Sequence, residues 1–207
     1  MPRVLTDART VAPRPAARGV AALRNETHMT NAPGNPAGAQ RLARACGDYE
    51  EEGVRALAAL VEREPPTDAW LDALIAGARE PDSDVVATWL LRAYLERGAD
   101  LDRSRVAALL RSLPRLQHDD AKLHLCQSVA LLDVPTRSAE PLARFLRPCA
   151  EGEAKFLRAW AVDAFVRLAR QHSRYADEAG RWLERARRDP AASVRARARR
   201  IDAERPG

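Results

Sequence analysis

The 207 residues carry 34 Lys or Arg against 29 Asp or Glu, for a net charge of +5, and 46% are hydrophobic while only 5% are aromatic. That balance is globular, and the abundance of Ala, Leu and Arg favours packed helices over sheets because these side chains lose little rotamer freedom in a helix. No run approaches the roughly 18 apolar residues of a membrane span and no apolar leader core opens the chain, so a soluble, unsecreted protein without a membrane partner is expected.

Residues 1–40 read as a disordered tail, with Pro2, Pro13, Pro15, Pro33 and Pro36 scattered among Gly, Ala, Asn and Arg and no sustained apolar period. The tail is rich in Arg and poor in acids, as in an organellar transit peptide, but Pro13 and Pro15 interrupt the amphipathic helix such a peptide needs. Translation starting at Met29 is an alternative to Met1. From residue 41 to 207 a single helical-repeat domain is expected. Its first pair is a helix from about Asp48 to Arg63, broken at Pro65-Pro66, then one from Thr67 to Arg79 capped by Thr67 or Asp68. Glu50-Glu51-Glu52 reads as a solvated first turn. The second pair starts near Asp84, turns at Gly98 and returns through Leu113 from a cap at Asp102 or Ser104. The third runs from Asp120, breaks at Pro135 and ends at Gly152. The fourth carries Phe156, Leu157, Trp160, Ala161, Ala164, Phe165 and Leu168, then Tyr175, Ala179, Trp182, Leu183 and Ala186. A helix from Ala191 closes the array.

These pairs repeat. Trp70, Val106, Leu142 and Ala179 form one apolar column at steps of 36, 36 and 37 residues, and Leu74, Leu110, Leu146 and Leu183 form the next. Ala73, Leu109, Phe145 and Trp182, and Gly77, Leu113, Cys149 and Ala186, keep the same spacing. A period of this length is the mark of stacked helical units that bury their stripes against one another.

Asp189-Pro190-Ala-Ala-Ser-Val194-Arg195-Ala-Arg-Ala198 resembles the first-helix signature of HEAT repeats, and Glu80-Pro81-Asp-Ser-Asp-Val85-Val86 looks like a degenerate copy with Val in place of Arg. The resemblance spans about residues 48–204, and the third and fourth units lack the Pro. It implies an all-α fold, an α-solenoid of about four antiparallel helix pairs wound into a HEAT-like superhelix with a C-terminal capping helix. It also implies a concave face lined by second helices that holds another macromolecule.

Charge divides the array. Residues 43–154 hold 14 basic and 20 acidic side chains, net −6, whereas residues 155–200 hold 13 and 5, net +8. The candidate partner-binding residues are Arg111, Arg144, Arg147, Arg181, Arg185 and Arg188 on second helices, where Arg111 and Arg147 share one column and Arg144 and Arg181 another, and Arg195, Arg197, Arg199 and Arg200 on the last helix. Guanidinium forks suit carboxylate or phosphate. Helix-end arginines such as Arg79, Arg115 and Arg188 equally suit the helix dipole.

No catalytic constellation is evident, and no cofactor or metal is expected. His124 and Cys126 project from different sides of one helix, and His118 beside Asp119 and Asp120 reads as an exposed cap region. Cys46, Cys126 and Cys149 are an odd, widely spaced set suited to free thiols in a reducing compartment, the cytoplasm. The expected function is a non-catalytic scaffold or adaptor for another protein, with nucleic acid as the alternative partner and salt-sensitive self-association as a third possibility. An enzymatic alternative comes from the HEAT-like DNA glycosylases that release alkylated bases. Trp160, Asp163 and Arg167 are the nearest local match, and they read more simply as a core Trp and an exposed i, i+4 pair.

Overall fold

The computed structural model describes residues 36–204, and most of the expected tail lies outside them. Within them every regular element is helical: α1 (Pro36–Glu52), α2 (Val54–Arg63), α3 (Asp68–Gly77), α4 (Asp84–Glu96), α5 (Arg103–Leu110), α6 (Asp119–Ser128), α7 (Thr136–Glu151), α8 (Lys155–Gln171), α9 (Ala176–Arg187) and α10 (Ala192–Ala203). Short 3₁₀ turns at Leu113–Arg115, Val129–Leu131 and Ser173–Tyr175 fill three of the connections. No described helix is long and apolar enough to cross a membrane.

The first unit differs from the sequence expectation. Instead of one helix over 48–63, Gly53 separates α1 from α2 with a φ of 67°, a left-handed value that glycine adopts without a Cβ clash. Glu50, Glu51 and Glu52 therefore close α1 and precede α2, and residues 36–40 begin a helix. Two other boundaries follow side-chain chemistry. Thr67 Oγ1 accepts the Trp70 N–H at 3.2 Å and Asp102 Oδ1 accepts the Arg105 N–H at 2.8 Å, each satisfying a first-turn amide with no partner inside its helix. Gly98, at φ 95°, ends α4 with the Ala99 N–H donating to the Tyr94 carbonyl.

Alternate helices pack on one another. α4 lies on α6, α6 on α8 and α8 on α10, while α1 lies on α3, α3 on α5 and α5 on α7; α3 with α4, α7 with α8 and α8 with α9 join the two sets. The columns read from the sequence are the seams. Trp70, Val106, Leu142, Ala179, Leu74, Leu110, Leu146 and Leu183 are all buried, and Leu74, Val106, Leu142 and Leu146 expose nothing. Each such aliphatic side chain contributes roughly 1.5–3 kcal/mol relative to exposure. Ala73, Phe145 and Trp182 are half-buried against the same core.

Gly77 begins a column whose other members carry side chains because α1 occupies that space. A Cβ there would meet Leu42 Cδ2 at 2.2 Å and Ala87 Cβ at 3.3 Å. Leu42 and Ala45 are the buried face of α1, and Arg41 lays its guanidinium 4.2 Å over the Trp70 ring. Trp70 Nε1–H donates to Tyr94 Oη at 3.2 Å, which satisfies the polar edge of a buried indole.

The sequence period is also a bonding period. His124 Nδ1 lies 3.3 Å from Thr88 Oγ1, 36 positions away, and Gln171 bridges its neighbour unit by accepting the Val134 N–H at 2.8 Å and donating to the Leu132 carbonyl at 3.0 Å.

Candidate functional site

The alternate helices α3, α5, α7 and α9 carry the arginines that the sequence singles out, and the fold sorts them into engaged and free. On α7, Arg147 is fully engaged. Its guanidinium grips Glu178 of α9 through two bonds of 2.8 and 3.0 Å and reaches Glu140 at 3.1 Å. Tyr175 Oη–H donates to the other Glu140 oxygen at 2.9 Å, and Arg174 donates to Tyr175 Oη at 2.8 Å. Hydrogen bonds from Arg147 hold both Glu140 and Glu178 below the usual carboxylate range, and Glu178 in turn raises the guanidinium. Arg147 is thus a staple between α7 and α9 and is not available to a partner.

Around that staple lie two arginines that are not part of it. Arg144, three residues before Arg147, and Arg181, three residues after Glu178, are exposed and make no ion pair with a described residue, although their fields lower Glu140 and Glu178. Arg111, at the C-terminal end of α5, is likewise exposed without an ion pair. Arg111, Arg144 and Arg181 therefore place one free guanidinium on each of three successive helices of this layer. The preceding helix has none to offer. Asp68 and Asp72 of α3 take Arg105 at 3.1 and 2.8 Å.

The C-terminal basic set is mostly consumed internally. Arg195 donates to the carbonyls of Asp189 and Pro190, both at 2.7 Å, and Arg158 grips Asp189 at 2.8 and 3.1 Å. Asp189 also accepts the Ala191 N–H, and Arg158 above all depresses its pKa. Asp189 and Arg195 therefore have a structural role, fixing the turn into α10, and Val194 is buried. Arg197 lies 3.4 Å over the Trp160 ring and 3.2 Å from Asp163. Arg185 is 3.6 Å from Glu151, and Arg200 is 3.4 Å from Glu204. Arg188 and Arg199 remain exposed and unpaired among the described residues. The sum of +8 over residues 155–200 overstates the charge open to a ligand, because most of those arginines already face a carboxylate or a carbonyl.

Three buried polar centres escape a sequence reading. Asp163 is not half of an exposed pair: its carboxylate is 5% exposed and bridges Arg167 at 3.0 Å and Arg197 at 3.2 Å. Asp84, fully buried, accepts the Gln117 N–H at 2.9 Å, the His118 N–H at 3.3 Å and the His118 Nδ1–H at 2.7 Å. His118 is exposed at the N-cap of α6, as expected, and it also ties the start of that helix to α4. His124 is buried, and desolvation, helped by the Arg92 charge, pushes it down to about 4. The available signal for Asp84 and Asp163 was an acid on an apolar stripe one period from a basic or donor residue. Among the described residues no cluster of His, Cys, Asp or Glu is arranged to hold a metal ion.

Comparison with protein-family models, curated proteins and solved structures finds no match to this chain.

Proposed function

We propose that the protein is a non-catalytic helical-repeat scaffold, a HEAT-like α-solenoid of about four helix pairs closed by α10, that captures an acidic protein segment on its second-helix layer. The observation that carries this reading is the row Arg111, Arg144 and Arg181. Each is exposed and free of an internal ion pair, on successive helices whose neighbouring arginines, Arg105 and Arg147, are tied down. Rigid elements that present unpaired guanidinium groups at a fixed spacing suit bidentate contact with carboxylates at modest entropic cost. A cytoplasmic location accords with three unpaired cysteines. The test is affinity capture from lysate with wild type and the triple variant Arg111→Glu, Arg144→Glu, Arg181→Glu, with captured proteins quantified by mass spectrometry. Enrichment of one acidic partner that the variant loses supports the reading; capture unaffected by the reversals removes it.

Nucleic acid is the second reading, favoured by Arg188 and Arg199 as free cations in the basic unit. It predicts saturable fluorescence anisotropy with duplex or single-stranded probes and a steep loss between about 50 and 200 mM salt. The base-excision alternative has less support, since Asp163 is enclosed by two guanidinium groups and Trp160 is stacked by Arg197.

A further inference from the structure

The helices α4, α6, α8 and α10 begin side by side, and the edge along which they begin is grooved. Asp84, the first residue of α4, accepts the Gln117 and His118 N–H groups that lead into α6, and Arg158 in the first turn of α8 grips Asp189 just ahead of α10. Three cavities follow this edge, one at each step from α4 to α10, of about 480, 230 and 600 Å³. They are joined. Asp119 lines the first and the second, and Arg158, in the wall of the third, donates to the carbonyls of Gly152 and Glu153 in the wall of the second at 2.6 and 3.2 Å.

The chemistry of the lining changes in order along the groove. In the first cavity Glu50, Asp82 and Asp120 are exposed and make no ion pair with a described residue, and Tyr49 and Val85 supply apolar wall. The second is lined mainly by Leu113, Phe145, Pro148 and Leu157, and its Lys122 is already paired with Asp119. It is smaller than the roughly 300–1,000 Å³ of small-molecule sites and suits a single side chain. In the third, Arg188 makes no ion pair with a described residue and Arg185 has only Glu151 at 3.6 Å, whereas Asp189 is taken by Arg158 and Glu184 by Arg187.

We propose that this groove binds an extended peptide segment of a partner protein that carries basic, apolar and acidic side chains in that order along its length. The basic group enters the acidic cavity beside Tyr49, the apolar side chain fills the middle cavity, and the carboxylate meets Arg185 and Arg188. Neighbouring helix axes lie roughly 8–10 Å apart and an extended chain advances roughly 3.3 Å per residue, so successive anchors fall about three residues apart. Opposite charge at the two ends fixes the register of the segment, and the enclosed central side chain anchors it. The groove is a surface distinct from the row Arg111, Arg144 and Arg181, so the two readings stand or fall separately.

The test is fluorescence anisotropy of labelled peptides titrated with the full chain at roughly 0.15 M salt. The probe Lys-Lys-Ser-Gly-Leu-Ser-Gly-Glu-Glu is compared with Lys-Glu-Ser-Gly-Leu-Ser-Gly-Lys-Glu, which has the same composition but no charge order, and with a probe carrying Ser in place of Leu. The ordered peptide should bind saturably and at least about tenfold more tightly than either control. Asp82→Lys with Asp120→Lys, and separately Arg185→Glu with Arg188→Glu, should each abolish that preference. Absence of saturable binding, or equal binding of the ordered and mixed peptides, would overturn the proposal, and this comparison on wild type decides even where a variant fails to fold. Sedimentation velocity addresses the other occupant: a dimer that either charge reversal dissociates and the ordered peptide does not displace would assign the groove to a second copy of the chain and overturn the peptide reading.

Discussion

Thr88 on α4 and His124 on α6 are 36 positions apart in sequence and 3.3 Å apart in space, so the repeat length of the chain is the distance between bonded partners. The Thr88 hydroxyl donates its own proton to the Asp84 carbonyl at 2.7 Å, which leaves its oxygen to accept from His124 Nδ1–H. Burial keeps this imidazole neutral in the seam between α4 and α6.

That arrangement sets a pH dependence. His124 is pushed down to about 4 by burial from an ordinary 6.5, so between those values the unfolded chain binds a proton that the folded chain does not. Stability is present in full above pH 6.5 and falls as pH drops towards 4, by about 3 kcal/mol in the limit of a fully transferred shift at about 1.4 kcal/mol per unit. Urea unfolding from pH 7 to pH 4 should show this loss, and His124→Gln should flatten its His-dependent part. An identical pH slope in wild type and variant would refute the assignment.

Arg147 and its free neighbours should respond differently to substitution. Arg147→Met removes the staple between α7 and α9, and because the groups are partly exposed the expected loss is about 1 kcal/mol. Arg111→Glu, Arg144→Glu and Arg181→Glu, at positions with no ion pair to break, should each stay within about 0.5 kcal/mol of wild type. Thermal melts of the four proteins separate structural from available arginines.

Asp163→Asn should be the most damaging of the charge-neutralising changes. The buried carboxylate is the shared partner of Arg167 and Arg197, and neutralising it leaves Arg197 without its ion pair near the core and Arg167 with only Glu204, at a cost of about 3 kcal/mol. Loss of alkylated-base release in this variant would therefore be informative only if its melting curve were preserved.

Gly77→Ala tests the contact of α1 with α3. The added Cβ would fall 2.2 Å from the end of the Leu42 side chain, which must rotate away within a buried site also bounded by Ala87 and Ser83. About 1–2 kcal/mol of destabilisation is expected from overpacking, and Leu42→Ala should restore part of it in the double variant. An unaffected Gly77→Ala would mean that α1 does not press on α3.

The apolar layer of this fold was readable because a period near 36 places equivalent side chains on one seam, and the four columns do lie in the core. α1 was not readable in full. Its first residues share the Pro, Gly and Ala composition of the tail, and its end runs into a second helix without Pro, with only Gly53 marking the break. The one hint was the glycine at position 77 of an otherwise side-chain-bearing column. The arginines were legible as positions but not as states. Arg147 and Arg144 look alike in sequence, and what separates them is Glu178, 31 residues beyond Arg147, which only the packing of α7 and α9 brings into reach. Asp163 was misread for the same reason, since Arg197 lies 34 positions away on α10.

The measurement that bears most directly on the proposed scaffold is quantitative capture by two matched triple and double variants, Arg111→Glu, Arg144→Glu, Arg181→Glu in one and Arg188→Glu, Arg199→Glu in the other, each checked for wild-type melting. The row on α5, α7 and α9 predicts at least tenfold loss of the captured protein partner, corresponding to about 1.4 kcal/mol or more, in the first variant and little change in the second. Equal retention by wild type and the first variant, or loss only in the second, would contradict it.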